Sequence, residues 1–159
     1  MNLNPDYIRN HEEIVSVLNT TMHDKFKPRE GADTHESVIV GLRSRFKTFK
    51  SQDMSGEFLD LIFKDTKFDP FLRDSYAFIQ IQKYDEGDFI APHKDVYAIQ
   101  KLHLVTLTTS ETDGLIIEDG RGGLIRIFDK AGQYIDADNS LYHWVDPVSA
   151  LRYSIVIAE

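Results

Sequence analysis

Apolar and polar positions change their rhythm near residue 76. Before it, Ile8, Ile14, Val15, Val17, Leu18 and Met22 recur at the spacings of one helical face, which predicts a helix from Asn4 or Pro5 to about Phe26. Asn4 suits the cap of that helix and Pro5 its first position. A second helix is predicted from Ser55, with Phe58, Leu59, Leu61, Ile62 and Phe63 as its apolar side; Pro70 interrupts it, so "DPFLRDS" reads as a separate short turn of helix. Between them, "ESVIVGLRSRFKTFK" is rich in β-branched residues and predicts an extended segment from Ser37 to Phe46.

From Tyr76 onward the period shortens towards two. Strands are predicted at about 76–84, 88–95, 101–109, 114–118, 123–128, 133–136, 140–145 and 150–158, broken at "DEGD", "SETDG", "EDGRGG", "DKAG", "DADN" and "DPVS", all turn-forming compositions. Short strands in this number, behind a helical lead, predict a mostly β, α+β chain: a jelly roll (double-stranded β-helix) with supporting helices on one face. Residues 1–75 form the helical support and 76–159 the jelly-roll core, within one domain spanning 1–159. Neither a bilayer-spanning apolar run nor a secretory leader is visible, so a soluble cytoplasmic protein is the expectation.

Charge narrows the partners. The net charge is −8 and unevenly spread, with 11 basic and 13 acidic residues before position 76 and 7 and 13 after it. Nonspecific phosphate binding needs a basic face, so nucleic acid is disfavoured. One stretch, "RSRFKTFK", interleaves Arg43, Arg45 and Lys47 with Phe46 and Phe49; it suits single-stranded nucleic acid or an acidic substrate at a site mouth, but a charge-protected edge strand is the better reading. With no cysteine in the chain, a metal would have to be held by His, Asp, Glu or water.

Candidate chemistry starts at "APHKDVY". On a strand, His93 and Asp95 are two positions apart and present an imidazole and a carboxylate to the same side. Of the other histidines, His11 and His23 fall on the first helix and His35 in a polar connection, where surface placement explains them. His103 reads as a half-buried core residue, and His143, in "SLYHWVDPV", sits among apolar and aromatic neighbours. Nine residues on, Arg152 interrupts the apolar strand "LRYSIVIA"; a buried arginine needs a partner. Arg152 and Ser154 share a face and suit bidentate capture of a carboxylate, while an internal salt bridge to an Asp or Glu explains Arg152 equally well. On strand 76–84, Phe78, Gln80, Gln82 and Tyr84 make one face, polar where an interior is normally apolar.

The ordered set Tyr84, Gly87, His93, Asp95, His143, Arg152 and Ser154, carried by "YDEGDFIAPHKD" and "HWVDPVSALRYS", resembles the iron(II)- and 2-oxoglutarate-dependent oxygenases, in particular the prolyl-4-hydroxylase-like group. The resemblance covers residues 76–159. It implies a dioxygenase using Fe(II), 2-oxoglutarate and O2, with His93, Asp95 and His143 as metal ligands, Arg152 and Ser154 on the distal carboxylate of 2-oxoglutarate, and Tyr84 also reaching the cosubstrate. Thr106 and Thr108 are further candidates for the cosubstrate pocket, and Gln80, Gln82, Tyr97 and Trp144 for substrate contact. Because Asp95 is present where related halogenases carry a small residue, the resemblance implies hydroxylation. Lys101, where an arginine is frequent, and the strand ending "LTTS" depart from the prolyl hydroxylase pattern and leave the substrate open. Alkylated-base repair enzymes carry a second arginine six residues after the first; here that position is Ala158, which disfavours base repair. A protein or peptide substrate, with proline among the candidate sites, is the leading expectation, a free amino acid or small metabolite the second. A cupin-like metal-binding module without oxygenase activity is the third.

Overall fold

The structure is a computed structural model that describes residues 2–28, 44–95 and 101–159. Two sheets, both antiparallel, dominate it. Among the described residues the larger has seven strands: β1 (Asn2–Asn4), β2 (Lys27–Pro28), β3 (Lys47–Lys50), β4 (Phe78–Tyr84), then β6 (Leu102–Thr106), β9 (Tyr134–Asp136) and β11 (Arg152–Ala158), in the spatial order β1-β9-β6-β11-β4-β3-β2. The smaller has four, in the order β5-β10-β7-β8: β5 (Ile90–His93), β7 (Gly114–Glu118), β8 (Leu124–Phe128) and β10 (His143–Val145). All eight strands expected after residue 76 are present, and this two-sheet arrangement is the expected jelly roll.

Alternation on β4 explains the layering. Ile79 and Ile81 are fully buried on one side, with Ile155, Ile157 and Tyr153 of β11, against the buried residues of the helices α1 (His11–Asn19) and α2 (Gly56–Ile62). The other side of β4 carries Phe78, Gln80, Gln82 and Tyr84 into the space between the sheets. At one end of that space Phe46, Tyr84, Leu115, Ile127, Ile135, Val145 and Val148 make a second apolar cluster.

The N-terminal third differs from expectation. Its predicted long helix is reduced to α1 and a 3-10 turn at His23–Lys25. Residues 2–4 instead pair with β9, Asp6 turns the chain at φ 56°, and the amides of Tyr7 and Ile8 both donate to the Gly132 carbonyl. Docking on the sheet thus captures the backbone donors that a longer helix would have used. At the other end of α1, the Thr20 hydroxyl donates to the Ser16 carbonyl, a local bond that competes with helix continuation. Ser55 caps α2 as expected, its hydroxyl accepting from the Phe58 amide, and α3 (Leu72–Ser75) is the short turn expected in "DPFLRDS".

Within the expected extended segment 37–46, positions 37–43 lie outside the described residues, as do Arg43, His35 and Tyr97. From Ser44 onward the chain joins the sheet: Arg45 bridges Phe89, and β3 pairs with β4 rather than forming an edge. Arg45 is engaged by Asp88 at 2.9 Å and Lys47 by Asp85 at 3.0 Å, so both cations brace the β4–β5 turn. No described helix is long and apolar enough to cross a membrane.

Candidate active site

Strand register brings the two candidate histidines together. β10 lies between β5 and β7, and His143 pairs directly with His93, leaving their ring centroids 4.3 Å apart. β5 ends at His93, and Asp95 lies just beyond it, held by a hydrogen bond from its amide to the Asn139 carbonyl. His143 Nε2 is 2.8 Å from Asp95 Oδ2, and His93 Nε2 is 3.7 Å from Asp95 Oδ1. One ligand atom from each of the three lies within 4.8 Å of the others.

Both imidazoles are committed at their far nitrogens. His93 Nδ1 meets the Ala91 carbonyl at 2.7 Å and His143 Nδ1 the Leu141 carbonyl at 2.8 Å. A carbonyl only accepts, so each Nδ1 carries the proton and each Nε2 is left to bind an ion or a second proton. Backbone carbonyls that fix the tautomer of a metal-ligating histidine are the usual support of such a site. Burial lowers the affinity of His143 for a proton, but the hydrogen bond to Asp95, its charge and the Leu141 carbonyl outweigh this, and the pKa is raised. Two imidazole nitrogens and one carboxylate converging on one point suit a divalent transition metal with open positions. The residues present therefore fit iron(II).

The three line a cavity of about 300 Å³ between the sheets, which also reaches Arg152, Ser154, Tyr84, Gln80 and Gln82. The face alternation read on strand 76–84 thus puts its polar residues where expected. Register orders this wall: Arg152 of β11 stands opposite Tyr84 of β4, Ser154 opposite Gln82, and Val156 opposite Gln80. Successive rows are about 7 Å apart.

Arg152 has a partner within the chain. Its Nε donates to Asp129 Oδ2 at 2.7 Å and its Nη2 to Asp129 Oδ1 at 3.1 Å, in a pair whose side chains are 3% and 1% exposed. The internal salt bridge that offered the other explanation of Arg152 is real, and the residue still lines the cavity. Its guanidinium also lies 4.9 Å from the Tyr84 ring, which stacks on Phe46. Burial pushes the Asp129 carboxyl up, and the charge and hydrogen bonds of Arg152 only partly pull it back. Beside this pair, Gln82 Oε1 accepts from the hydroxyls of Tyr84 at 3.1 Å and Ser154 at 3.2 Å.

Other candidates fall elsewhere. The Thr106 hydroxyl donates to the Lys130 carbonyl at 2.7 Å, and the Thr108 hydroxyl accepts from the Tyr153 amide at 3.2 Å. Neither lines the cavity, because backbone arriving from a turn and from β11 uses both side chains. Trp144, between His143 and Val145, points to the opposite face of the small sheet and is also outside the cavity. Conversely, Asp129 and the lining residues Phe46 and Asn139 carry no local signal in the sequence that marks them as part of this site.

No protein-family model matches the sequence, and no curated protein does. Solved structures do. A prolyl-4-hydroxylase from Pseudomonas putida superposes with a TM-score of 0.67 at 13% identity, covering 99% of this chain and 90% of that one. The fold is that of the 2-oxoglutarate–Fe(II) oxygenases. A prolyl hydroxylase from Trichoplax adhaerens, in complex with a hypoxia inducible factor peptide, gives 0.65 at 15% identity, over 99% of this chain and 81% of that one. A non-heme alpha ketoglutarate-dependent carbocyclase of nogalamycin biosynthesis gives 0.66 at 8% identity, over 98% and 77%.

Proposed function

We propose that this chain is an Fe(II)- and 2-oxoglutarate-dependent dioxygenase that hydroxylates a C–H bond of a protein or peptide, with proline as the first residue to test. One observation carries the reading: two imidazoles with their Nδ1 atoms tied off and one carboxylate converge on the same cavity that a buried arginine lines. His93, Asp95 and His143 hold the metal. Arg152 takes the distal carboxylate of 2-oxoglutarate, and Ser154, Tyr84 and Gln82 surround it with hydroxyl and amide groups that re-pair when it enters.

With iron(II) bound, the overall reaction is oxidation of C–H to C–OH by one atom of O2, while the other enters succinate as 2-oxoglutarate loses CO2. The chain's own part is positional. The carbonyls of Ala91 and Leu141 aim the two Nε2 atoms, and the apolar walls Leu115, Val145 and Leu104 exclude bulk water. The cosubstrate runs from the Arg152 row towards the metal ligands. The Gln80 row, one step further than Ser154, is then left to face substrate.

The peptide in the Trichoplax relative supports a peptide substrate, and the carbocyclase on the same fold supports a small molecule as the second reading. A purely metal-binding module is the third, and it gives Arg152 no work beyond its pair with Asp129. Succinate formation under air, with Fe(II) and 2-oxoglutarate, separates the three when amidated proline-containing peptides and free amino acids are added in parallel. Peptide-stimulated succinate is the expected result. Stimulation by free amino acids alone selects the small-molecule reading, and no succinate under any condition rejects the oxygenase.

A further inference from the structure

Arg152 offers two edges that can grip a carboxylate: Nε with Nη2 along its side, and Nη1 with Nη2 at its end. Asp129 occupies the side edge with two hydrogen bonds, at 2.7 and 3.1 Å, leaving the end edge and the Nη1 donors. A guanidinium has considerable rotational freedom of its own. Here that freedom is removed from two directions, by the Asp129 carboxylate in its plane and by the Tyr84 ring, itself stacked on Phe46, against its face.

Asp129 is in turn fixed at its backbone. It follows β8, its amide donates to the Asp113 carbonyl at 3.0 Å, and its carbonyl accepts from the Ser110 amide at 3.1 Å. An aspartate just beyond the edge strand of the small sheet thus reaches a guanidinium of the large sheet.

Building on the assignment of Arg152 to the distal carboxylate, we propose that Asp129 is a positioning residue. It turns the end edge of Arg152 towards the cavity and so sets the preference of the site for a 2-oxo acid with a second carboxylate. The electrostatic cost of a negative neighbour is smaller than the gain from a pre-aimed fork, since a planar two-point contact depends on orientation more than a point charge does. The preference therefore resides in the pair rather than in Arg152 alone.

The test is a calorimetric titration of Mn(II)-loaded protein with 2-oxoglutarate and with 2-oxobutyrate, which lacks the distal carboxylate. Asp129→Asn is expected to weaken 2-oxoglutarate binding about tenfold, roughly the worth of one hydrogen bond to a charged group. 2-Oxobutyrate and Mn(II) affinities should hold, so the ratio between the two acids collapses. Asp129→Glu keeps the charge but moves the carboxylate by one methylene, and its ratio falls as well if aim is what matters. It also provides the answer should the Asn variant not fold. A wild-type ratio retained in both variants makes Asp129 merely structural, and tighter 2-oxoglutarate binding in Asp129→Asn makes it a competing counter-ion; either result overturns the proposal. If wild-type protein does not distinguish the two acids, the assignment of Arg152 itself fails, and this inference with it.

Discussion

His143 shows how one contact sets both the acid–base state and the chemistry of the site. Its Nε2 lies 2.8 Å from Asp95, so below the raised pKa of the metal-free protein a proton bridges the two groups that a metal would otherwise share. The folded pKa is raised, so the imidazolium–carboxylate pair stabilises the metal-free protein fully below the ordinary value of 6.5 and is lost as pH rises through the raised value. A metal competes for the same nitrogen and therefore gains affinity over that interval. Mn(II) binding is expected to be weaker at about pH 6 than at about pH 8, with proton release seen as an enthalpy that depends on the buffer; equal affinities at both pH values would contradict this. His93 with Asp95, and Arg152, stand out in the sequence as local anomalies, an i, i+2 pair and a lone arginine in an apolar strand, whereas His143 joins them only through the ordered set that carries the resemblance. Asp129 was not legible, since it lies in a turn 23 residues before its partner and nothing local distinguishes it from other turn aspartates. Thr106 and Thr108 lie off the cavity lining for a related reason: alternation gives the face of a side chain but not the backbone that arrives above it.

At the scale of elements, the site depends on β10, which holds His143 and is itself held by β5 on one side and β7 on the other. β7 begins at Gly114, where an added Cβ would stand 1.8 Å from the Ile127 carbonyl oxygen of β8. Gly114→Ala must therefore push β7 and β8 apart. The expected loss is about 1–3 kcal/mol, as for other overpacked positions, read as a lower Tm together with weaker metal binding as β10 loosens. An unchanged Tm would show that the two strands separate without cost. Strand positions after residue 76 were legible because turn compositions mark each break. The first helix was overextended because its apolar spacing continues through Ile8, which is buried by docking on Gly132 and by a bridge to Thr66 rather than by helical packing. Propensity and period describe local preference, and tertiary contacts override them where the chain end joins a sheet.

Over the whole molecule, the two sheets divide the work. The small sheet carries both histidines, the large sheet carries Arg152, Ser154, Gln82 and Tyr84, and the cavity lies between them. The Arg152–Asp129 pair ties one sheet to the other, so the arginine proposed to hold the cosubstrate also helps to close the jelly roll. The N-terminal part, expected to be helical support, also lays β1, β2 and β3 on the large sheet, a contribution hidden in the sequence because those strands are only two to four residues long. One cavity is expected to bind iron(II) and 2-oxoglutarate together. Anaerobic titration of the metal-free protein with Fe(II) and then 2-oxoglutarate reads this out through the visible charge-transfer absorption of the chelate. The band is expected in wild-type protein, is absent in His93→Ala, and requires much more 2-oxoglutarate in Arg152→Lys, which keeps the charge but loses the fork. Metal binding without the band in wild-type protein would contradict it.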